Sequence, residues 1–404
     1  MKVIISPSRA HGRVNAPPSK SFAHRMMICA ALAGGTSVID GVAESEDMLA
    51  TLDCIRAMGA ECSLSGQKLT VTGIAVRFGG KPEFPCRESG STLRFLLPVA
   101  LTAGCGGTFT GTERLMERGI GVYETLFAEK GITVNKNGGI TVGGALTPGE
   151  YTLPGNVSSQ FVSGLLFALP LLGGDSTVRV LPPVESRAYI DITAAVEARF
   201  GVTIAESEPN VFTVKGGQKF RATNAAVEGD WSNAAFLLAL NHLGGSVEVS
   251  GLNPLSLQGD RVCAELLDRL ESPGAQIDVS ACPDLAPILF AVAAAKHGAH
   301  FTGTARLKIK ESDRAAAMAR ELAKFGISSD IRENEAFISG GLSAPNAELC
   351  GHNDHRIVMA LSMAALGCEA PVTVTDAQSV AKSWPAFFED YRAIGGTAHV
   401  IDHR

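Results

Sequence analysis

The chain has 404 residues, 46% of them apolar, enough for sizeable cores and for two domains or one large repeat protein. A net charge of −6 supplies no global basic field, which argues against nucleic acid as a partner and requires any anion site to be built locally. Nine cysteines (29, 54, 62, 86, 105, 263, 282, 350 and 368) form no C-x-x-C pair, which argues against a zinc site and a disulfide framework and for reduced thiols in the cytoplasm. Residues 1–7 hold too short an apolar run for a signal peptide, and no uninterrupted apolar stretch of about 18 residues predicts a membrane span.

Near the start, Pro17-Pro18-Ser19-Lys20-Ser21-Phe22-Ala23-His24-Arg25 feeds an apolar helix over residues 26–32. The two proline rings stiffen the lead, and Ser19 or Ser21 can cap the helix. Lys20 and Arg25 fall at or near the helix N-terminus, where unpaired N–H groups and the dipole already favour an anion. Cations there cost stability in an empty protein, which argues for a bound anion. The plainer reading is a capped helix with solvated basic residues, and on this stretch alone the two are even.

That helix opens a pattern that recurs six times: an Ala/Leu-rich helix, a Gly-containing stop and a β-branched strand, from Met26, Phe95, Leu165, Phe236, Leu289 and Ala360. A second, amphipathic helix follows in each copy, from Asp47, Gly121, Asp191, Asp260, Asp313 and Phe387, with Gly59, Gly131, Gly201 and Gly326 placed as C-terminal stops. The unit implied is β-α-β-α-β-β, repeated six times in an α+β fold. The first helix of each copy is apolar on nearly every side and is expected to be buried all round. Three such helices per half would pack together with sheets outside them, the reverse of a barrel with helices outside. Arg221-Ala-Thr-Asn-Ala-Ala reads as a linker. The division places residues 19–228 in a first half and residues 1–18 and 229–404 in a second.

Almost every polar cluster stands just before a helix, and the clusters supply Lys20, Arg25, Arg94, Arg118, Arg187, Lys310, Arg314, Arg356 and Lys382. Helix N-termini of a repeat protein share one end, so two halves meeting there would enclose an anion-selective cleft suited to a small substrate with several phosphate or carboxylate charges. Ser158, Ser159 and Gln160 are good phosphate ligands and equally good caps. Gly90 allows close approach of a ligand or simply makes a turn, and Tyr189 on residue type alone belongs to the core. Asp284 and Glu311 stand among basic residues, where carboxylates can take and give protons; capping for Asp284 and a helix ion pair for Glu311 are the structural alternatives. No P-loop, H-E-x-x-H or G-x-S-x-G is present, and no metal or cofactor is expected.

PSKSFAHR, SGSTLR, ERGIG, VSSQF, SRAYIDIT, EGDWSNAAF, KESDR, NDHR and AKSWPAFF occur in this order over nearly the whole chain. Together they closely resemble the 5-enolpyruvylshikimate-3-phosphate synthase family. The resemblance implies an inside-out α/β barrel of the enolpyruvyl transferase type, two globular halves with buried parallel helices closing over the substrates. It implies transfer of the carboxyvinyl group of phosphoenolpyruvate to the 5-hydroxyl of shikimate 3-phosphate, with release of phosphate. By motif, Ser21, Arg25, Ser158, Ser159, Gln160, Ser186, Tyr189 and Lys310 should hold shikimate 3-phosphate. Lys20, Arg118, Arg314, Arg356 and Lys382 should hold phosphoenolpyruvate, with Gly90 lining that pocket. Asp284 resembles the base for the hydroxyl, Glu311 the acid for the methylene carbon, and Lys20 the charge partner of the transferring group.

Glu88 and Arg306 depart from the family, standing where many members have Asn. The related UDP-N-acetylglucosamine enolpyruvyl transferases carry Lys-Asn where this chain has Lys20-Ser21, and usually a reactive Cys in the loop matching residues 115–121, which here has none. A non-catalytic anion-binding repeat protein would be expected to lack Lys20, Asp284 or Glu311, and all three are present. A monomer in the cytoplasm is expected.

Overall fold

Among the residues that the computed structural model describes (1–75, 80–104 and 106–401), the repeated helix–stop–strand pattern becomes a repeated sheet; Cys105 lies outside them. The chain forms two compact units, Pro18–Glu228 and Met1–Pro17 with Gly229–Arg404.

Pro18–Glu228 contains three four-stranded sheets with one strand order. The third is the plainest case: Glu150–Pro154, Ser176–Leu181, Val211–Val214 and Ile204–Glu208 lie side by side in that order. The first two strands are parallel and the other neighbours antiparallel. Parallel neighbours need a crossover, and the apolar helix Ser159–Ala168 provides it. The second sheet repeats this around helix Gly90–Ala100. In the first sheet the parallel partner of Gly34–Asp40 is Ala225–Ala226, from the far end of the unit. The stretch that reads as a linker is therefore an edge strand, tied down further by a bridge between Gly34 and Arg221.

In the other unit one sheet is complete: Ala275–Asp278, Gly298–Thr302, Glu335–Ser339 and Ser329–Ile331. The fourth repeat keeps only the parallel pair His11–Asn15 and Ser246–Ser250. Its second helix, Cys263–Arg269, runs almost directly into the first strand of the fifth repeat at Ala275, leaving no residues for a closing hairpin. The last sheet has the order Val372–Val374, Lys2–Ser6, Thr397–Ile401, with Leu349 bridging parallel to Val374. Lys2–Ser6 thus occupies the place that a repeat's own last strand fills elsewhere.

The all-apolar helices are buried as their composition requires. In Lys20–Leu32 every residue from Phe22 to Leu32 is buried, as is every residue from Leu93 to Ala100 in the second helix. Phe95 packs edge-on to Phe167 at 5.5 Å, joining the Gly90–Ala100 and Ser159–Ala168 helices. Helices Trp231–His242, Ala286–Ala295 and His355–Ala364 pack on one another to form the second core. Gly59, Gly131, Gly201 and Gly326 all have positive φ, as helix stops do. Among the described residues no helix is long and apolar enough to cross a membrane.

The Gly90–Ala100 and Ser159–Ala168 helices approach closely at Gly164. A Cβ there would overlap the Arg94 carbonyl oxygen and the Tyr123 hydroxyl, the same hydroxyl that donates to the carbonyls of Arg94 at 3.0 Å and Phe161 at 2.8 Å. Gly164→Ala is expected to lower stability by about 1–3 kcal/mol through overpacking, read as a lower urea midpoint at unchanged slope.

Candidate active site

In Pro18–Glu228, Lys20, Arg25 and Arg94 lie in the first two turns of their helices, and Arg118 ends the short helix Glu113–Arg118. Ser19 occupies the N-cap position of Lys20–Leu32, but its side chain makes no capping bond to the helix N–H groups. Lys20 Nζ instead donates to Asp47 Oδ2 at 2.7 Å, with both side chains mostly buried. One turn on, Arg25 is buried, and its hydrogen bonds go to neutral groups. Its Nε donates to Thr193 Oγ1 at 2.8 Å, Nη1 to the Ser21 carbonyl at 2.8 Å, and Nη2 to Ser163 Oγ at 3.3 Å and the Tyr189 carbonyl at 3.0 Å. The guanidinium lies 4.8 Å from the Phe95 ring centre and 6.0 Å from that of Tyr189. Burial pushes the Arg25 pKa down to about 10, so it stays charged at neutral pH. Tyr189 is half-buried against the core, and its amide donates to the carbonyl of Ser186, a buried residue in the left-handed region at φ 54.

A second group forms around Gly90. A Cβ at Gly90 would lie 2.7 Å from Arg94 Nη1 and 3.1 Å from Arg118 Nη2, so the missing side chain is what lets two guanidinium groups close on this turn. Arg94 Nη1 donates to Gln160 Oε1 at 2.7 Å, and Gln160 Nε2 to Ser91 Oγ at 2.9 Å. Ser158 caps the helix that begins at Ser159, accepting from the Gln160 amide at 3.3 Å. Arg118 Nε and Nη1 are buried and have no hydrogen-bond partner among the described residues. Buried guanidinium nitrogens left in that state favour an anionic ligand. Arg187 does not join these groups: Asp191, Glu206 and Asn210 hold it.

A hydroxyl chain that sequence reasoning missed runs beneath Lys20 and Gly90. His24 Nδ1 meets Thr51 Oγ1 at 2.6 Å, Thr51 meets Thr92 Oγ1 at 2.7 Å, and Thr92 donates to Ser89 Oγ at 2.7 Å. Burial, then Lys20 and Arg25, hold the His24 pKa well below its usual value, so the ring is neutral.

In the other unit Asp284, Lys310, Glu311, Arg314 and Arg356 form one network. Asp284 lies in the 3-10 turn Pro283–Leu285 ahead of helix Ala286–Ala295, and it does not cap that helix. Its Oδ1 accepts from Arg314 Nη1 at 2.7 Å and Lys310 Nζ at 3.1 Å, and Oδ2 from Arg356 Nη2 at 3.4 Å. Burial works against charge on Asp284, but Arg356, Lys310 and Arg314 together hold its carboxyl well below the usual range. Cations from distant segments, not helix N–H groups, keep it ionised. Burial lowers the pKa of Lys310, with Asp284 pulling the other way.

Arg314 is the centre of this network. Besides Asp284 it holds Glu311 Oε2 through Nη2 at 2.6 Å and Asp354 Oδ2 through Nε at 2.9 Å. Asp354, fully buried, also caps helix His355–Ala364 by accepting from the Arg356 amide at 2.9 Å. Lys382 Nζ donates to the Asn353 carbonyl. Buried Asp260 accepts from Ser232 Oγ; burial, then the charge of Asp284, pushes its pKa up to about 6. Asp354 was readable as a cap in HNDHR, whereas nothing in the sequence ties Asp47 to Lys20 or Asp260 to Asp284.

Burial opposes charge on Asp354 but Arg314 prevails, so its folded pKa is depressed. Its contribution is therefore full above the unfolded value of about 3.9 and lost as pH falls through the folded value. Asp354→Asn is expected to cost about 3 kcal/mol at neutral pH by breaking a buried pair. Denaturant titrations from pH 7 down to pH 3 should show that difference constant at first and then shrinking. A difference that grows towards low pH would refute the assignment.

The sequence model of EPSP synthase (3-phosphoshikimate 1-carboxyvinyltransferase) matches residues 4–391. The 3-phosphoshikimate 1-carboxyvinyltransferase of Clostridium kluyveri is 39% identical, over 98% of this chain and 97% of its own length. That of Clostridium perfringens is 38% identical over 98% of both. The solved EPSP synthase of Acinetobacter baumannii superposes with a TM-score of 0.82 at 26% identity, covering 99% of this chain and 100% of its own. A family match across nearly the whole length, with the basic and acidic residues gathered as described, leaves one conclusion: this chain belongs to the EPSP synthase (3-phosphoshikimate 1-carboxyvinyltransferase) family.

Proposed function

We propose that this chain transfers the carboxyvinyl group of phosphoenolpyruvate to the 5-hydroxyl of shikimate 3-phosphate, releasing phosphate, in the shikimate pathway to aromatic amino acids. The observation that carries the reading is the Asp284–Arg314–Glu311 arrangement, two carboxylates on separate nitrogens of one buried guanidinium. The reaction adds an alcohol across the C=C bond of phosphoenolpyruvate and then expels phosphate. One group must take the hydroxyl proton while another protonates the methylene carbon. Asp284, held ionised by three cations, is the base. Glu311 is the acid, its proton favoured once the charges of bound phosphoenolpyruvate offset Arg314 and Lys310. Loss of a methyl proton with departure of phosphate then restores the double bond.

Ser21, Arg25, Ser158, Ser159, Gln160, Ser186, Tyr189 and Lys310 hold shikimate 3-phosphate in this reading. Lys20, Arg118, Arg314, Arg356 and Lys382 hold phosphoenolpyruvate, with Gly90 giving Arg118 its close approach. Lys20 also partners the charge of the transferring group. The unpartnered nitrogens of Arg118 support its share of that role. The enzyme is proposed to act as a monomer in the cytoplasm, a setting that suits the free thiols of its described cysteines.

Mixing the protein with both substrates should release phosphate, and either substrate alone should not. Asp284→Ala should abolish turnover while calorimetry still detects near-normal binding of shikimate 3-phosphate. Glu311→Gln keeps shape but cannot protonate carbon, and should lose roughly 10²–10⁴ in kcat. Near-normal kcat in Glu311→Gln would move the acid to another group, Lys20 or Lys382 first.

A further inference from the structure

Helix Arg314–Lys324 begins at the centre of the charge network and, two turns later, buries a second carboxylate that the reaction does not use. Glu321 is 0% exposed and has three bonds. Its Oε1 meets His352 Nε2 at 2.8 Å, and Oε2 accepts from Lys324 Nζ at 2.7 Å and from the Cys350 amide at 2.8 Å. Two of the three partners lie in the short loop leading to Asp354.

That loop holds an unusual backbone. His352 and Asn353 are consecutive non-glycine residues in the left-handed region, both at φ 50. Gly351 before them admits no side chain, since a Cβ would lie 2.6 Å from the Thr375 carbonyl oxygen. On its other side Asp376 Oδ2 accepts from the Asn353 amide at 3.4 Å and from Cys350 Sγ at 3.6 Å. The same few residues set the cationic network. The Asn353 carbonyl takes Lys382, Asp354 takes Arg314, and Arg356 reaches the Asp284 carbonyl at 3.3 Å and its carboxylate at 3.4 Å.

We propose that Glu321 is a positioning residue for phosphoenolpyruvate: by gripping His352 and Cys350 it holds the left-handed loop that aims Arg356 and Lys382. A strained backbone persists only where its surroundings over-determine it, and a buried carboxylate with charge-assisted bonds is a strong restraint. Because Glu321 stands on the helix that Arg314 begins, one rigid element references all three cations. The proposal rests on the assignment of Arg314, Arg356 and Lys382 to phosphoenolpyruvate.

The test measures KM for each substrate, kcat and thermal unfolding in Glu321→Ala, Glu321→Gln, His352→Ala, Arg356→Ala and Lys382→Ala. Misaimed cations in Glu321→Ala should raise KM for phosphoenolpyruvate about tenfold or more, with KM for shikimate 3-phosphate nearly unchanged. Glu321→Gln, whose amide oxygen can still accept the Cys350 N–H, should recover most of that loss. If Glu321→Ala does not fold, His352→Ala removes one bond only and should give a smaller rise with the same selectivity. A lower melting temperature with both KM values unmoved, or an equal rise in both, overturns the proposal. Arg356→Ala and Lys382→Ala keep the two failures apart. If they leave KM for phosphoenolpyruvate unchanged, the assignment beneath the proposal is wrong; if they raise it and the Glu321 and His352 variants do not, only the link through Glu321 is.

Discussion

Arg314 is almost completely buried, and its donors face Asp284, Glu311 and Asp354. A guanidinium taken out of water costs several kcal/mol unless its partners are well placed. The turn bearing Asp284, the turn bearing Glu311 and the cap of the His355–Ala364 helix therefore have to converge on it. Arg25 meets the same demand differently. Its hydrogen bonds go to hydroxyls and carbonyls, which solvate the charge without cancelling it. One unit thus holds a buried guanidinium solvated by neutral groups, while the other holds carboxylates balanced by cations.

Neutral hydroxyl groups do comparable work under Lys20 and Gly90. Ser89 caps its helix by accepting from the Thr92 amide and also ends the chain that starts at His24. Three helices, Lys20–Leu32, Glu46–Ala57 and Gly90–Ala100, are tied at one end by groups that carry no charge at neutral pH. A charged histidine here would add to Lys20 and Arg25. Its burial, with those two charges beside it, keeps the ring neutral.

The six buried helices were legible in the sequence because all-round apolarity admits no other placement, and the glycine stops marked where each one ends. The strand Ala225–Ala226 was not, since two alanines carry no alternation and their parallel partner lies almost 190 residues earlier in the chain. The shortened fourth repeat was hidden for a related reason: its helices look like the others, and only the sheet shows what is missing. At the site, residue types were readable while their pairings were not. Position alone offered capping as the structural alternative for Asp284, whereas Lys310, Arg314 and Arg356 come from segments brought together only by folding. The roles of individual residues were drawn from motif resemblance, and the geometry adds the reason Asp284 stays ionised.

The strand Lys2–Ser6 sits between Val372–Val374 and Thr397–Ile401, so it is completed by segments roughly 370 residues further along the chain. A ribosome adding about 5–20 residues per second leaves that strand without either partner for roughly 20–80 s. In the meantime Pro18–Glu228, which needs nothing from beyond Glu228 for its three sheets, is free to fold. The nascent chain therefore carries a finished globule flanked by an unpaired β-branched segment, Val3-Ile4-Ile5, an edge that invites pairing with other chains. Keeping that segment from the wrong neighbour until Val372–Val374 and Thr397–Ile401 are made is a demand that follows from pairing strands so far apart in the chain.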